Sequence, residues 1–299
     1  MVILNGILPL WKPRGMTSHD CVVKARRMLH TKKVGHTGTL DPEVEGVLPL
    51  CIGQATKIVP YLTDTHKTYI AEVKLGTATE TEDSHGEIIE EAEISDFPSK
   101  QAIENVLQLF RGEITQIPPM YSAVKVQGKK LYEYARNNEE VDRPSRRVLI
   151  YDLDLLSTDY KDSFIIKVTC SKGTYIRTLC VDIGKNLGYP SHMANLVRTS
   201  TGSISKKDTV TFEEIEKAIN ADKELEFLLP LSRGLSHLKF IEVEKTVKQR
   251  VLYGQKLPRP DEFPETGPAV IASDNRVLAV YQIHPDNPEL IKPLRVFNE

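Results

Sequence analysis

Cysteine is scarce in this chain of 299 residues, and the four present exclude more than they suggest. Cys21, Cys51, Cys170 and Cys180 form no CxxC pair and no Cys/His spacing of zinc-site type, which argues against a metal site and against a dithiol redox centre. Buried free thiols are the expectation. Also missing is any apolar run approaching the roughly 18 residues of a membrane span, so no membrane partner is expected. The apolar opening MVILNGILPLW lacks a basic leader and a small-residue cleavage site, and Asn5, Gly6 and Pro9 interrupt it; it reads as a buried N-terminal strand of a cytoplasmic protein. No GxSxG, HExxH or phosphate-loop pattern points to a hydrolase. A net charge of −2 lacks the basic excess of a nucleic-acid binder.

What is present changes that last reading. With 40% hydrophobic and 27% charged residues, the chain can bury a large core and carry a small second domain. Its charge is segregated. Lys12, Arg14, Lys24, Arg26, Arg27, Lys32 and Lys33 face only Asp20 between residues 12 and 40, whereas the acids from Glu80 to Asp96 meet no Lys or Arg. A second basic stretch runs from Lys125 through Lys129 and Lys130 to Arg147 and interleaves Tyr132 and Tyr134. Cations that hold phosphates beside aromatic faces that stack on bases suit RNA.

Local patterns give a mixed α+β organisation. Thr17 to Asp20 is a capping-box pattern ahead of Val22, Ala25, Met28 and Leu29 at helical spacing. Gly35 to Pro42 is a polar, glycine-rich loop braced by the apolar run Val47 to Ile52. Thr68 to Leu75 alternates as a strand, Ser99 to Phe110 and Ile176 to Leu187 read as helices stopped by Gly112 and Gly188, and strands dominate from Val148 to Val168. Thr211 to Glu214 is a further capping box. A boundary is expected near residue 236, giving domains at 1–236 and 237–299. In the second, Val243 to Tyr253 should be a helix and Ala269 to Ile283 a hairpin turning at Asp274-Asn275.

The motifs then carry a resemblance. Leu10-Trp11-Lys12-Pro13-Arg14-Gly15-Met16-Thr17-Ser18 and Gly35-His36-Thr37-Gly38-Thr39-Leu40-Asp41-Pro42 resemble the first two motifs of TruB-type pseudouridine synthases. Lys67-Thr68-Tyr69, the Gly76-to-Gly86 stretch with Thr77, Thr79, Thr81 and Asp83, Gln116 to Lys125, and Gly173-Thr174-Tyr175-Ile176-Arg177-Thr178-Leu179 follow in family order. The matches span about residues 10 to 202. Read bare, Asp41 before Pro42 is a turn former, Tyr69 a core aromatic and Arg177 a solvent-facing residue of a helix's first turn.

The resemblance implies more. It implies a largely antiparallel core sheet flanked by helices, with a small β-barrel of the PUA type at residues 237–299, and conversion of a uridine to pseudouridine at position 55 in the T loop of tRNA. Asp41 would be the indispensable carboxylate, attacking C1′ or stabilising its oxocarbenium-like charge. Arg177 would pair with it, and Tyr69 would stack on the base. His36 would fill the space left by the flipped nucleotide. Leu196 would wall the uracil, Lys12 and Pro13 would brace the catalytic loop, and Tyr175 would join the substrate site. Lys125, Lys129 and Lys130 would lie in a basic insertion, about 124–147, that closes on RNA. The C-terminal module would hold the acceptor end of tRNA. Glu43 and Glu45 depart from the family pattern, which often has a small residue there. Isomerisation is redox-neutral, so no cofactor is expected, nor a metal. A stand-alone monomer without an obligatory protein partner is expected, rather than a guide-RNA-dependent relative or an RNA-binding protein without chemistry.

Overall fold

The computed structural model describes residues 4–158, 160–221 and 226–298. The chain divides into two compact units, one made from both ends (Met1–Thr65 with Thr201–Glu299) and one from the middle (His66–Ser200).

The first unit begins with β1 (Gly6–Lys12), α1 (Ser18–Met28), β2 (Val34–His36) and β3 (Glu45–Ile52), followed by a 3-10 turn at Gly53–Ile58 and the short α2 (Val59–Thr63). Strand β3 pairs antiparallel with β1 on one side and β2 on the other. Its near-continuous apolar run is buried from Gly46 to Ile52, as expected of a strand whose two faces are both covered. The N-terminal strand reading holds from Gly6; residues 1–3 of that reading lie outside the described residues. Helix α1 starts at the expected capping box, with Thr17 accepting from the Asp20 amide and Asp20 accepting from the Thr17 amide.

The middle unit contains β4 (Lys67–Leu75), β5 (Thr77–Thr79), β6 (Ile88–Glu91), α3 (Lys100–Leu109) and β7 (Gly112–Gln116). After these come the two-residue strands β8 (Lys125–Val126) and β9 (Lys129–Lys130), α4 (Leu131–Arg136), β10 (Arg146–Ser157), β11 (Ser163–Cys170), α5 (Ile176–Leu187) and β12 (Ser191–Thr201). Its sheet runs β12-β4-β11-β10-β7. The pairs β4–β11, β11–β10 and β10–β7 are antiparallel, and of these only β10 and β11 follow each other through a short connection. Gly188 ends α5 in the left-handed region at φ 86°, where an L side chain would be strained.

The chain returns to the first unit with β13 (Ile204–Ser205), α6 (Phe212–Asn220), α7 (Leu231–Gly234), β14 (Lys239–Glu242), α8 (Lys245–Leu252), β15 (Leu257–Pro258), β16 (Ala269–Ser273), β17 (Arg276–His284) and β18 (Asn287–Val296). The last five strands form a sheet in the order β14-β16-β17-β18-β15, parallel only at β14–β16. Its hairpin turns where expected, with Asp274 and Asn275 at φ 53° and 61°, the two left-handed residues of a turn that matches strand twist. Val270, Val280 and Phe297 of this segment share one core with Ile7, Val47, Ile58 and Leu62. The helix expected at Val243 to Tyr253 starts two residues later, because Val243 donates its amide to Ala272 as an extension of the ladder.

The middle unit depends on one close approach. A Cβ at Gly184 would stand 2.0 Å from Ser191 Oγ and 2.3 Å from Ser191 Cβ. Ser191 Oγ in turn donates to the Cys180 carbonyl at 3.0 Å, so α5 is seated on the start of β12 by a glycine contact and a hydrogen bond together. Gly184→Ala should destabilise the protein by about 2 kcal/mol or more through overpacking, read as a lower urea midpoint at unchanged slope.

Candidate active site and its two sets of residues

In the first unit, Asp41 sits in a loop whose neighbours on both sides are fastened. Ser18, the first residue of α1, accepts the Leu40 amide on its hydroxyl at 2.9 Å and is itself buried. On the other side, the Lys12 ammonium donates to the carbonyls of Pro13 at 3.0 Å, Pro42 at 2.9 Å and Val44 at 2.7 Å. The Gly15 amide donates a hydrogen bond to the Pro42 carbonyl, and Val44 donates its own amide to the Asp41 carbonyl. Lys12 is fully buried, so its charge is tolerated because carbonyl oxygens surround the ammonium. Asp41 itself is half-buried, and Glu43 is exposed. The same loop includes Thr37, which is buried and donates to the Pro49 carbonyl at 3.3 Å. His36 ends β2 rather than lying in a loop, and its Nδ1 accepts from the Gly38 amide at 3.4 Å.

In the middle unit, Arg177 lies in the first turn of α5, only 6% exposed, and not on a wet face. Its guanidinium donates to the carbonyls of Thr81 and Tyr121, each at 3.0 Å, and its Nε lies 4.0 Å from Asp83 Oδ2. Two carbonyls from segments far apart in sequence therefore fix the plane of the guanidinium. Asp83 is held by Thr81 Oγ1 at 2.7 Å and by the His85 amide at 3.0 Å. Next to Arg177, Thr178 donates to Glu82 Oε2 at 2.7 Å. Tyr69 is half-buried on β4 and stands opposite Val168 of β11. Leu196 is buried on β12. Tyr175 precedes α5; Gln116, itself buried, both donates to its carbonyl and accepts its amide, while the Arg146 guanidinium lies 5.3 Å over its ring.

The basic insertion is a small hairpin and helix. Gln127 and Gly128, at φ 51° and 85°, make its turn. Its tyrosines face cations of their own chain. Lys130 and Arg136 each lie 5.2 Å from the Tyr132 ring, and Lys129 lies 4.5 Å from that of Tyr134 while pairing with Glu139 at 2.6 Å. Lys125 is exposed opposite Lys130.

Residues 26–176 match the family model described as TruB family pseudouridylate synthase, N-terminal domain, and residues 177–236 match the tRNA pseudouridylate synthase B C-terminal domain. The tRNA pseudouridine synthase B of Oceanobacillus iheyensis is 61% identical over 296 residues, covering 98% of each chain. The chain belongs to the TruB family of pseudouridine synthases. The protein of the same name from Bacillus pumilus is 50% identical over 305 residues, covering 99% of each. Among solved structures, a chain of a Cbf5-Nop10-Gar1 complex is 26% identical, with a TM-score of 0.76 over 99% of this chain and 84% of that one.

The TruB motifs name residues without giving their local partners. The Gly76-to-Gly86 motif contains Thr81 and Asp83, and the Gln116 motif contains Tyr121, but nothing in either spacing says that they fasten Arg177. Gln116 and Glu82 were not foreseen as supports. A glutamine ahead of two prolines was the available signal for the first, since a buried amide can serve both polar groups of one peptide residue.

Two outcomes follow from this geometry. Lys12→Met removes three charge-assisted hydrogen bonds, one of them buried, and should cost about 3 kcal/mol or more in denaturant unfolding. Burial raises the Glu82 carboxyl above its ordinary 4.5, against the lowering pull of Thr178, Arg177 and Arg143. A folded-state acid with a raised pKa binds its proton more tightly than the unfolded chain does, so its contribution falls as pH rises from 4.5 through the folded value. Glu82→Gln should therefore gain stability relative to wild type between pH 4.5 and pH 7, read from paired urea titrations.

Proposed function

We propose that this TruB-family enzyme converts one uridine of tRNA to pseudouridine at position 55 in the T loop, with Asp41 as the catalytic carboxylate. The observation that carries the residue assignment is the fastening of the loop on both sides of Asp41, by Ser18 at Leu40 and by Lys12 at Pro42 and Val44. A carboxylate that must meet a reacting carbon needs a backbone that does not drift, because positioning accounts for much of the barrier reduction. The substrate assignment rests on the shared motifs and on relatives named tRNA pseudouridine synthase B.

The reaction breaks the N1–C1′ bond, turns the uracil, forms the C5–C1′ bond and releases the C5 proton. In this reading the uridine is flipped out of its stack, and His36 occupies the vacated place. Asp41 attacks C1′ or stabilises its positive charge, Arg177 supports the carboxylate, and Tyr69 stacks on the base. Leu196 and Tyr175 belong to the same uridine site, and Lys125, Lys129 and Lys130 contribute positive charge toward the backbone. Lys12 acts through the loop it fastens. Residues 237–299 form a PUA-like module that takes the acceptor end. The protein works as a cytoplasmic monomer, with neither metal nor cofactor.

The test is tritium release from tRNA transcripts labelled at uridine C5. Wild type should release label, Asp41→Asn should bind equally well but turn over about 10³-fold more slowly or worse, and a transcript without the T-loop uridine should release none. Undiminished turnover by Asp41→Asn would remove Asp41 from the chemistry.

A further inference from the structure

Two backbone hydrogen bonds of the first unit bring three cations from distant parts of the chain into one neighbourhood. The Gly53 amide donates to the Lys33 carbonyl at 2.9 Å, which sets Lys33 beside the 3-10 turn that carries Lys57. Lys57 Nζ donates to the Val296 carbonyl at 2.7 Å and lies 6.0 Å over the Phe297 ring, which sets it beside Arg295 at the end of β18. Lys33 and Arg295 are exposed and Lys57 is half-buried. Among the described residues none of the three forms an ion pair with a carboxylate, and the side-chain bonds of Lys57 and Arg295 go to backbone carbonyls. Burial and then the positive charges of Lys33 and Arg295 hold the Lys57 ammonium below its ordinary pKa. The half-buried Tyr61 lies within the field of Arg295 as well.

Three neighbouring cations without a paired acid form a site that a polyanion completes. We propose that Lys33, Lys57 and Arg295 form a phosphodiester-binding site for the RNA backbone, apart from the uridine-handling residues. The site deepens the tRNA reading and rests on it for the identity of the RNA. Lys57, tied to Val296, is its fixed part, and Lys33 and Arg295 are its exposed arms. Backbone phosphates recur along any RNA strand, so a cluster of cations that holds them contributes affinity and register rather than sequence choice.

The experiment compares wild type, Lys33→Ala/Arg295→Ala, and a charge-matched control, Lys100→Ala/Lys185→Ala, whose lysines are exposed on the other unit. Binding to an unmodified tRNA transcript is measured between 50 and 200 mM salt, with thermal unfolding of each protein alongside. The site variant should bind roughly tenfold more weakly at the lower salt, and its log–log salt slope should fall by about 1.4 to 1.8, the release expected for two lost phosphate contacts. The control should keep the wild-type slope. A site variant that matches the control in affinity and slope overturns the proposal, and so does a loss of affinity at unchanged slope with a lowered unfolding temperature. Wild type that binds the transcript with the predicted slope difference yet releases no tritium would refute the substrate reading and leave the phosphate site standing.

Discussion

The first unit turns on a buried ammonium. Lys12 ends β1, and its charge sits where no water can solvate it, so the carbonyl oxygens that the loop from Pro42 to Val44 presents help to compensate it. The dependence runs both ways. The loop's carbonyls would lose a charge-assisted donor without Lys12, and Lys12 would lose two of its carbonyl partners without the loop. Strand β1, the loop and β3, which starts one residue after Val44, are thereby made into one object. Asp41 inherits its position from that bargain between a charge and a set of dipoles, and Ser18 at the head of α1 fixes the other flank.

The middle unit solves the same problem with a guanidinium. Arg177 is buried and anchored on the carbonyls of Thr81 and Tyr121, on a helix that Gly184 allows to sit close to Ser191. In both units backbone carbonyl oxygens hold a buried cation in place. Carbonyl dipoles fix a cation's place without cancelling its charge.

The parts of this structure that were legible in the sequence are those governed by local chemistry. Thr17 with Asp20, Thr211 with Glu214, Gly188 after α5 and Asp274-Asn275 in the hairpin all act within four residues, and each appears where its side chain or backbone preference demands. The family motifs in turn led to Asp41, Tyr69 and Arg177. What sequence could not supply is the long-range pairing. Arg177 reaches carbonyls 96 and 56 residues away, and Gln116 clasps Tyr175 across 59. Without its motif Arg177 reads as solvent-facing, and its burial follows from those partners. The basic insertion shows a related gap, because composition revealed its cations and tyrosines but not that they stack on one another.

Amide hydrogen exchange of the wild-type protein tests the central claim most directly, since it reads the Asp41 loop without altering it. If Lys12 and Ser18 make the loop part of the β1–β3 core, the amides of Gly15, Leu40 and Val44 should exchange only with free energies near those of the β1 and β3 strand amides. Exchange of these three as fast as the exposed turn at Gln127 and Gly128 would show a loop that opens independently, and would contradict the account of how Asp41 is held.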